Sequence, residues 1–162
     1  MAQTANQRAA HLARRYGPIA LIDAIAWAIG ILAALVLRYD FDLNQIHWGW
    51  TFALIGVTAA LQLAAGWLFW LYRGRYETGG FDEVRALALN TVAVMAVAWV
   101  FAYAVGYGNG IPRSTMIIAA PITFTLMAAA RYLLRLSNEQ RMRPGVEAQR
   151  ALLYGAGYLG NQ

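Results

Sequence analysis

Apolar residues run continuously, without alternation, through four stretches of this chain: Pro18–Leu37, Gly49–Tyr72, Ala86–Val105 and Ser114–Leu134. A membrane-crossing helix needs roughly 20 mostly apolar residues to cover about 30 Å of hydrocarbon, and each stretch meets that length. The breaks between them are short and hold the turn formers, among them Gly79–Gly80 and Gly108-Asn-Gly-Ile-Pro112. Successive helices are therefore expected to run antiparallel. A β-barrel would alternate apolar and polar residues, and these runs do not. The expected fold is an all-α membrane protein, a four-transmembrane-helix up-down bundle over residues 18–136. The first stretch has the basic front of a signal peptide. Its run is too long for a typical h-region and three more spans follow, so it reads as an uncleaved signal anchor.

Composition agrees. Of 162 residues, 60% are hydrophobic and only 13% charged, against about 25% charged in a typical soluble domain. Disorder is excluded by so much apolar surface, and a soluble globule of this size has too small a core to hide it. There is no cysteine, which excludes a disulfide scaffold and any Cys-ligated metal site; no metal site is expected.

Charge sets the expected orientation. All thirteen basic residues are arginine. With the N-terminus inside, eleven of them (Arg8, Arg14, Arg15, Arg73, Arg75, Arg85, Arg131, Arg135, Arg141, Arg143 and Arg150) fall on the cytoplasmic side. Arg38 and Arg113 alone fall outside. That asymmetry places both termini, including the leading segment 1–17, in the cytoplasm. It also explains the net charge of +5 without nucleic acid, which is not an expected partner; the lipid bilayer is. Trp48, Trp50, Tyr103 and Tyr107 would mark the outer boundary, and Trp67, Trp70, Tyr72 and Tyr76 the inner one, as interface anchors.

Ionisable groups inside a span are candidates for function. Asp23 and Arg131 lie at a common depth, roughly 6–8 Å below the inner boundary at 1.5 Å per residue. Three readings stand side by side: a structural clamp of Asp23 with Arg131 or Arg135 across the first and last helices, a ligand-facing pair, or part of a proton or ion path. Gln62, Asn90 and Thr91 are expected to hydrogen-bond across helices while being too scattered to define a substrate site. Pro121 should kink the fourth span. Arg113 has three candidate partners: Asp40, Asp42 and a lipid phosphate. In the inner loop Arg73 and Arg75 alternate with Tyr72 and Tyr76. That stretch reads as a topology determinant and anchor, or as a holder of a lipid phosphate or pyrophosphate. Small-residue pairs Ala24/Ala28 and Ala60/Ala64 are candidate contacts for a homo-oligomer.

Past the fourth span the chain turns polar and basic through a linker, residues 137–149. The apolar run Ala151–Tyr154 then leads into Gly155-x-Gly157-x-x-Gly160. A strand running into such glycines is the start of a dinucleotide-type fingerprint, in which Gly155, Gly157 and Gly160 would let a phosphate approach a helix N-terminus. Residues 150–162 are thus expected to be the truncated start of a Rossmann-like nucleotide-binding domain.

Taken in order, these motifs resemble the N-terminal part of the CapD-like polysaccharide-biosynthesis family, the membrane-bound nucleotide-sugar 4,6-dehydratases of bacterial capsule and glycan synthesis. The matching residues are Asp23, Leu37-Arg38-Tyr39, Leu71-Tyr72-Arg73 with Arg75-Tyr76, Ile111-Pro112-Arg113-Ser114, Arg131 with Arg135, and Leu152-Leu153-Tyr154-Gly155-Ala156-Gly157. The resemblance implies four membrane helices ahead of a Rossmann-like domain. A second, catalytic domain would follow, holding NAD and converting a UDP-sugar, commonly UDP-N-acetylglucosamine, to a 4-keto-6-deoxy sugar. It carries no catalytic residue onto this chain, and no cofactor is expected in these 162 residues. It further implies an inner-membrane location near polyprenyl-phosphate glycan machinery. The polyprenyl-phosphate sugar-1-phosphate transferases share the same opening and are the alternative. A small four-helix transporter is the rival from another class; it would need a coupled interior site and an internal repeat, and no repeat is visible.

Overall fold

A computed structural model of the protein describes residues 2–72, 80–106 and 110–141, and the side chains of 17–72, 80–104 and 110–140. Four helices make up the described chain: α1 Ala2–Arg38, α2 Trp48–Leu68, α3 Phe81–Phe101 and α4 Thr115–Arg141. All four are long and apolar enough to cross a membrane, so the chain is a multi-pass membrane protein. No strand occurs among the described residues. The expected Rossmann-like start, with Gly155, Gly157 and Gly160, lies outside them, as do Arg73, Arg75, Tyr76 and Tyr107.

The helices form a ring in which α1 touches α2 and α4, and α3 touches α2 and α4. Neighbours are antiparallel: along α1, Asp23 meets Arg131, Ala26 meets Thr123, and Gly30 meets Ala119. Of the four contacts, α1 with α4 is the most extensive. Its cause is Gly30. A Cβ there would overlap the Thr123 hydroxyl and stand 3.0 Å from the Ala119 carbonyl oxygen. The missing side chain lets the two backbones approach, as small residues do in membrane bundles. Pro18 and Pro121 both lie inside continuous helices. Beside Pro121, the Thr125 hydroxyl donates to the Pro121 carbonyl at 2.8 Å.

Two helix ends depart from the boundaries expected from hydropathy. α2 stops at Leu68 rather than Tyr72 because the chain reverses at Trp70, which holds φ 63°. The Leu71 N–H donates to Gly66 O and the Trp70 N–H to Trp67 O, the pattern of a Schellman turn. α3 begins at Phe81, ahead of the apolar run, because Asp82 and Glu83 in its first turn suit the positive end of a helix dipole. At its other end α3 passes into a π-helical turn, Ala102–Gly106.

The bundle is apolar on the outside. Leu21, Phe52, Leu68 and Ile117 point outward, which suits hydrocarbon and not water. Its interior is layered. Near the Tyr39 end Trp27, Ile31, Leu35, Leu54, Val94 and Met116 pack together. Towards the Tyr72 end the interior becomes polar.

Candidate functional site

The polar interior gathers side chains from all four helices. Asp23 is completely buried, and its two oxygens receive both terminal nitrogens of the Arg131 guanidinium, Nη1 on Oδ1 and Nη2 on Oδ2, each at 2.8 Å. This is the two-pronged geometry that makes arginine–carboxylate pairs strong and orientation-specific. The remaining side of the guanidinium is used as well: Arg131 Nε donates to Glu83 Oε1 at 2.9 Å. Helices α1, α3 and α4 are therefore tied through one cation.

Helix α2 joins through amides and a phenol. The Tyr72 hydroxyl donates to Asp23 Oδ2 at 2.6 Å. The turn at Trp70 makes this contact by folding Tyr72 back along α2. There its ring lies on Gly66, where an added Cβ would overlap Cε2 and stand 2.7 Å from Cζ. Gln62 lies between Asp23 and the next layer. Its Oε1 accepts from Trp27 Nε1 at 3.0 Å and from Asn90 Nδ2 at 2.9 Å. Its Nε2 faces Asp23 Oδ2 and the Tyr72 hydroxyl, each at 3.4 Å. Indole N–H can only donate, so Trp27 fixes which way the Gln62 amide points. That in turn makes Asn90 present its NH2 group and leaves Asn90 Oδ1 without a partner.

In hydrocarbon an isolated charge or unpaired amide is strongly unfavourable. Here one guanidinium is shared by the two carboxylates within one network, and Asp23, Gln62 and Asn90 have no exposure at all. The cluster joins all four helices, and its charged groups are buried.

The sequence expectations fare unevenly against this geometry. Asp23 and Arg131 come together. Arg135, the alternative clamp residue, points outward and pairs with Glu139 one turn along α4 at 2.7 Å. Tyr72 is buried in the cluster, so its reading as an inner-boundary anchor is corrected; Trp67 and Trp70 beside it are half exposed. Gln62 and Asn90 bond across helices, yet they are not scattered, since Asn90 donates to Gln62 and Gln62 in turn faces Asp23. Thr91 instead donates to Leu87 O of its own helix at 2.8 Å. Glu83 was legible only as a helix-end charge. The missed signal is phase: Glu83 and Asn90 are seven residues apart, two helical turns, and so share a face once α3 starts at Phe81.

At the Tyr39 end the polar groups are smaller and more exposed. The Arg113 guanidinium lies over the Tyr103 ring at 5.4 Å, and Trp99 Nε1 donates to the Arg113 carbonyl at 3.1 Å. Asp42 accepts from Gln45 Nε2 and from the Asn44 N–H, at 2.9 and 3.1 Å. Those two bonds, the Gln45 side chain first, hold its carboxyl below the usual range. Tyr39 donates to Gly110 O at 2.8 Å, closing α1 onto the turn before α4. Among the described residues no group of His, Asp and Glu is placed to hold a metal.

No family model, curated protein or solved structure matches this chain.

Proposed function

We propose that this chain is the membrane-anchoring domain of a bacterial nucleotide-sugar 4,6-dehydratase of the CapD-like kind, acting on UDP-N-acetylglucosamine in capsule or glycan synthesis. On this reading it sits in the inner membrane with both termini cytoplasmic, and the charged cluster lies at the cytoplasmic end. It carries no chemistry itself. Its work is to hold a cytoplasmic, NAD-dependent catalytic domain beside the enzymes that build on polyprenyl phosphate. Arg73, Arg75 and Tyr76 mark the cytoplasmic boundary, and Gly155, Gly157 and Gly160 open the Rossmann-like domain that follows.

One observation carries the anchor reading over the transporter: the only deep charges among the described residues are bonded to one another in one buried network. A transport site must open to water on at least one side and release its partners in turn. Asp23 has no exposure and both its oxygens are engaged. The order of motifs along the chain supports the choice of enzyme class.

The test is made on the whole protein that carries this segment. Membranes containing it should convert UDP-N-acetylglucosamine to a 4-keto-6-deoxy product. A version lacking residues 1–141 should keep that activity in the soluble fraction. Transfer of sugar phosphate to polyprenyl phosphate, with no 4-keto product, would replace the dehydratase reading by the phosphosugar transferase.

A further inference from the structure

We infer that the lipid-facing seam between α3 and α4 is a binding site for one anionic phospholipid, with the phosphate at Arg113 and an acyl chain laid along the seam. Two separate features of the seam carry this, and neither belongs to the charged cluster.

The first is the rim. Trp99 and Tyr103 are stacked at 5.9 Å between ring centroids. The π-helical turn that begins at Ala102 includes Tyr103. Across the seam Arg113 lies over the Tyr103 ring, and its backbone carbonyl is tied to Trp99. The guanidinium is therefore held in place at the end of a span, at the level where lipid phosphates lie. A guanidinium presents several N–H donors in a plane and matches phosphate oxygens two at a time. Trp and Tyr beside it are the residues that favour this depth.

The second is the groove. Deeper along the same two helices lies an open, apolar groove of about 290 Å³, lined by Ala88, Val92 and Met95 of α3 and Ala120, Pro121 and Phe124 of α4. Met95 stands one turn from Trp99, and the α3 positions 88, 92, 95 and 99 follow the three- and four-residue spacing of a single helix face, with Tyr103 next in the π-helical turn. Val92 to Tyr103 spans about 16 Å along the axis at 1.5 Å per residue, close to the depth of one leaflet, half of a roughly 30 Å core. A cationic, aromatic head followed by an apolar trough on one seam is the complement of a phospholipid. The inference needs only that the bundle is in a bilayer, so it stands or falls apart from the enzyme reading.

The experiment uses the full chain, purified in detergent and titrated with dioleoyl-phosphatidylglycerol, with bound lipid counted by native mass spectrometry. The expected result is one tightly held lipid per chain. R113Q should weaken it about tenfold or more, the effect of losing a charge-assisted pair. V92W, which fills the groove without touching Arg113, should weaken it as well, while circular dichroism of both variants stays that of the parent. Glycerol-1-phosphate, the head without chains, should not compete. The inference is overturned if R113Q and V92W hold the lipid as the parent does, or if the head group alone competes as well as the lipid. A dimer that V92W dissolves, with no bound lipid, would show that the seam takes a second copy of the chain and would equally overturn it.

Discussion

Replacing Arg131 by Gln should destabilise the bundle by about 3–5 kcal/mol, the usual consequence of leaving buried charges without their partner. The magnitude follows from what remains. Asp23 would keep only Tyr72 and Gln62, and Glu83 would lose its 2.9 Å bond to the guanidinium, leaving two carboxylates in a bundle interior. Ordinary interhelical hydrogen bonds in membranes are worth far less, about 0.6 kcal/mol on average, so the charge effect dominates. Arg131→Lys should recover only part, because an ammonium cannot place two parallel donors on Asp23 and a third on Glu83. The charge-removing triple change Asp23→Leu, Glu83→Gln, Arg131→Met should lie closer to the parent than the single change does, since it leaves no unpaired charge. Unfolding in mixed micelles, followed by circular dichroism, checks all three. If Arg131→Gln unfolds at the same detergent fraction as the parent, the network does not hold the helices.

The second large effect is expected at Gly30. An alanine there must displace Thr123, which also loses its 3.3 Å bond to Ala26 O, and it presses on the Ala119 carbonyl, which belongs to the α4 backbone and has little room to move. Overpacking of this kind typically costs about 1–3 kcal/mol, and leucine should exceed alanine. Gly56 supplies the control within the same molecule. A Cβ there meets nothing within 4 Å, so Gly56→Ala should be neutral or slightly stabilising through helix propensity alone. The same unfolding assay separates the two; equal behaviour of Gly30→Ala and Gly56→Ala would contradict the close α1–α4 approach.

The residues that could be read from sequence share one property: their signal is local or periodic. Four apolar runs give four helices, and equal depth along antiparallel helices brings Asp23 to Arg131. What escaped depends on how the chain turns. Tyr72 reads as the end of an apolar run with an aromatic at the boundary. It enters the cluster because Trp70 takes a left-handed conformation, which a bulky residue rarely adopts and which no glycine advertises. Glu83 lies before the apolar run of α3, so its face is undefined until the helix is known to start two residues earlier. Gln62 and Asn90 look isolated in sequence because the contact that unites them, with Trp27 as the orienting donor, joins three different helices. Arg135 misleads in the opposite way. It shares a helix face with Arg131, but by that point α4 faces outward and Glu139 is the nearer partner.

The central claim is a four-crossing anchor whose charged cluster lies at the cytoplasmic end, and topology tests it most directly. The chain has no cysteine, so single cysteines can be placed without removing any. Asn44 lies in the turn between α1 and α2 and Ser137 near the end of α4; both are exposed. With a membrane-impermeant maleimide on intact spheroplasts, Asn44→Cys should label, and Ser137→Cys should label only after lysis. Labelling of both from the same side would contradict the four crossings, and labelling of Ser137→Cys alone from outside would reverse the orientation and remove the basis for a cytoplasmic enzyme anchor.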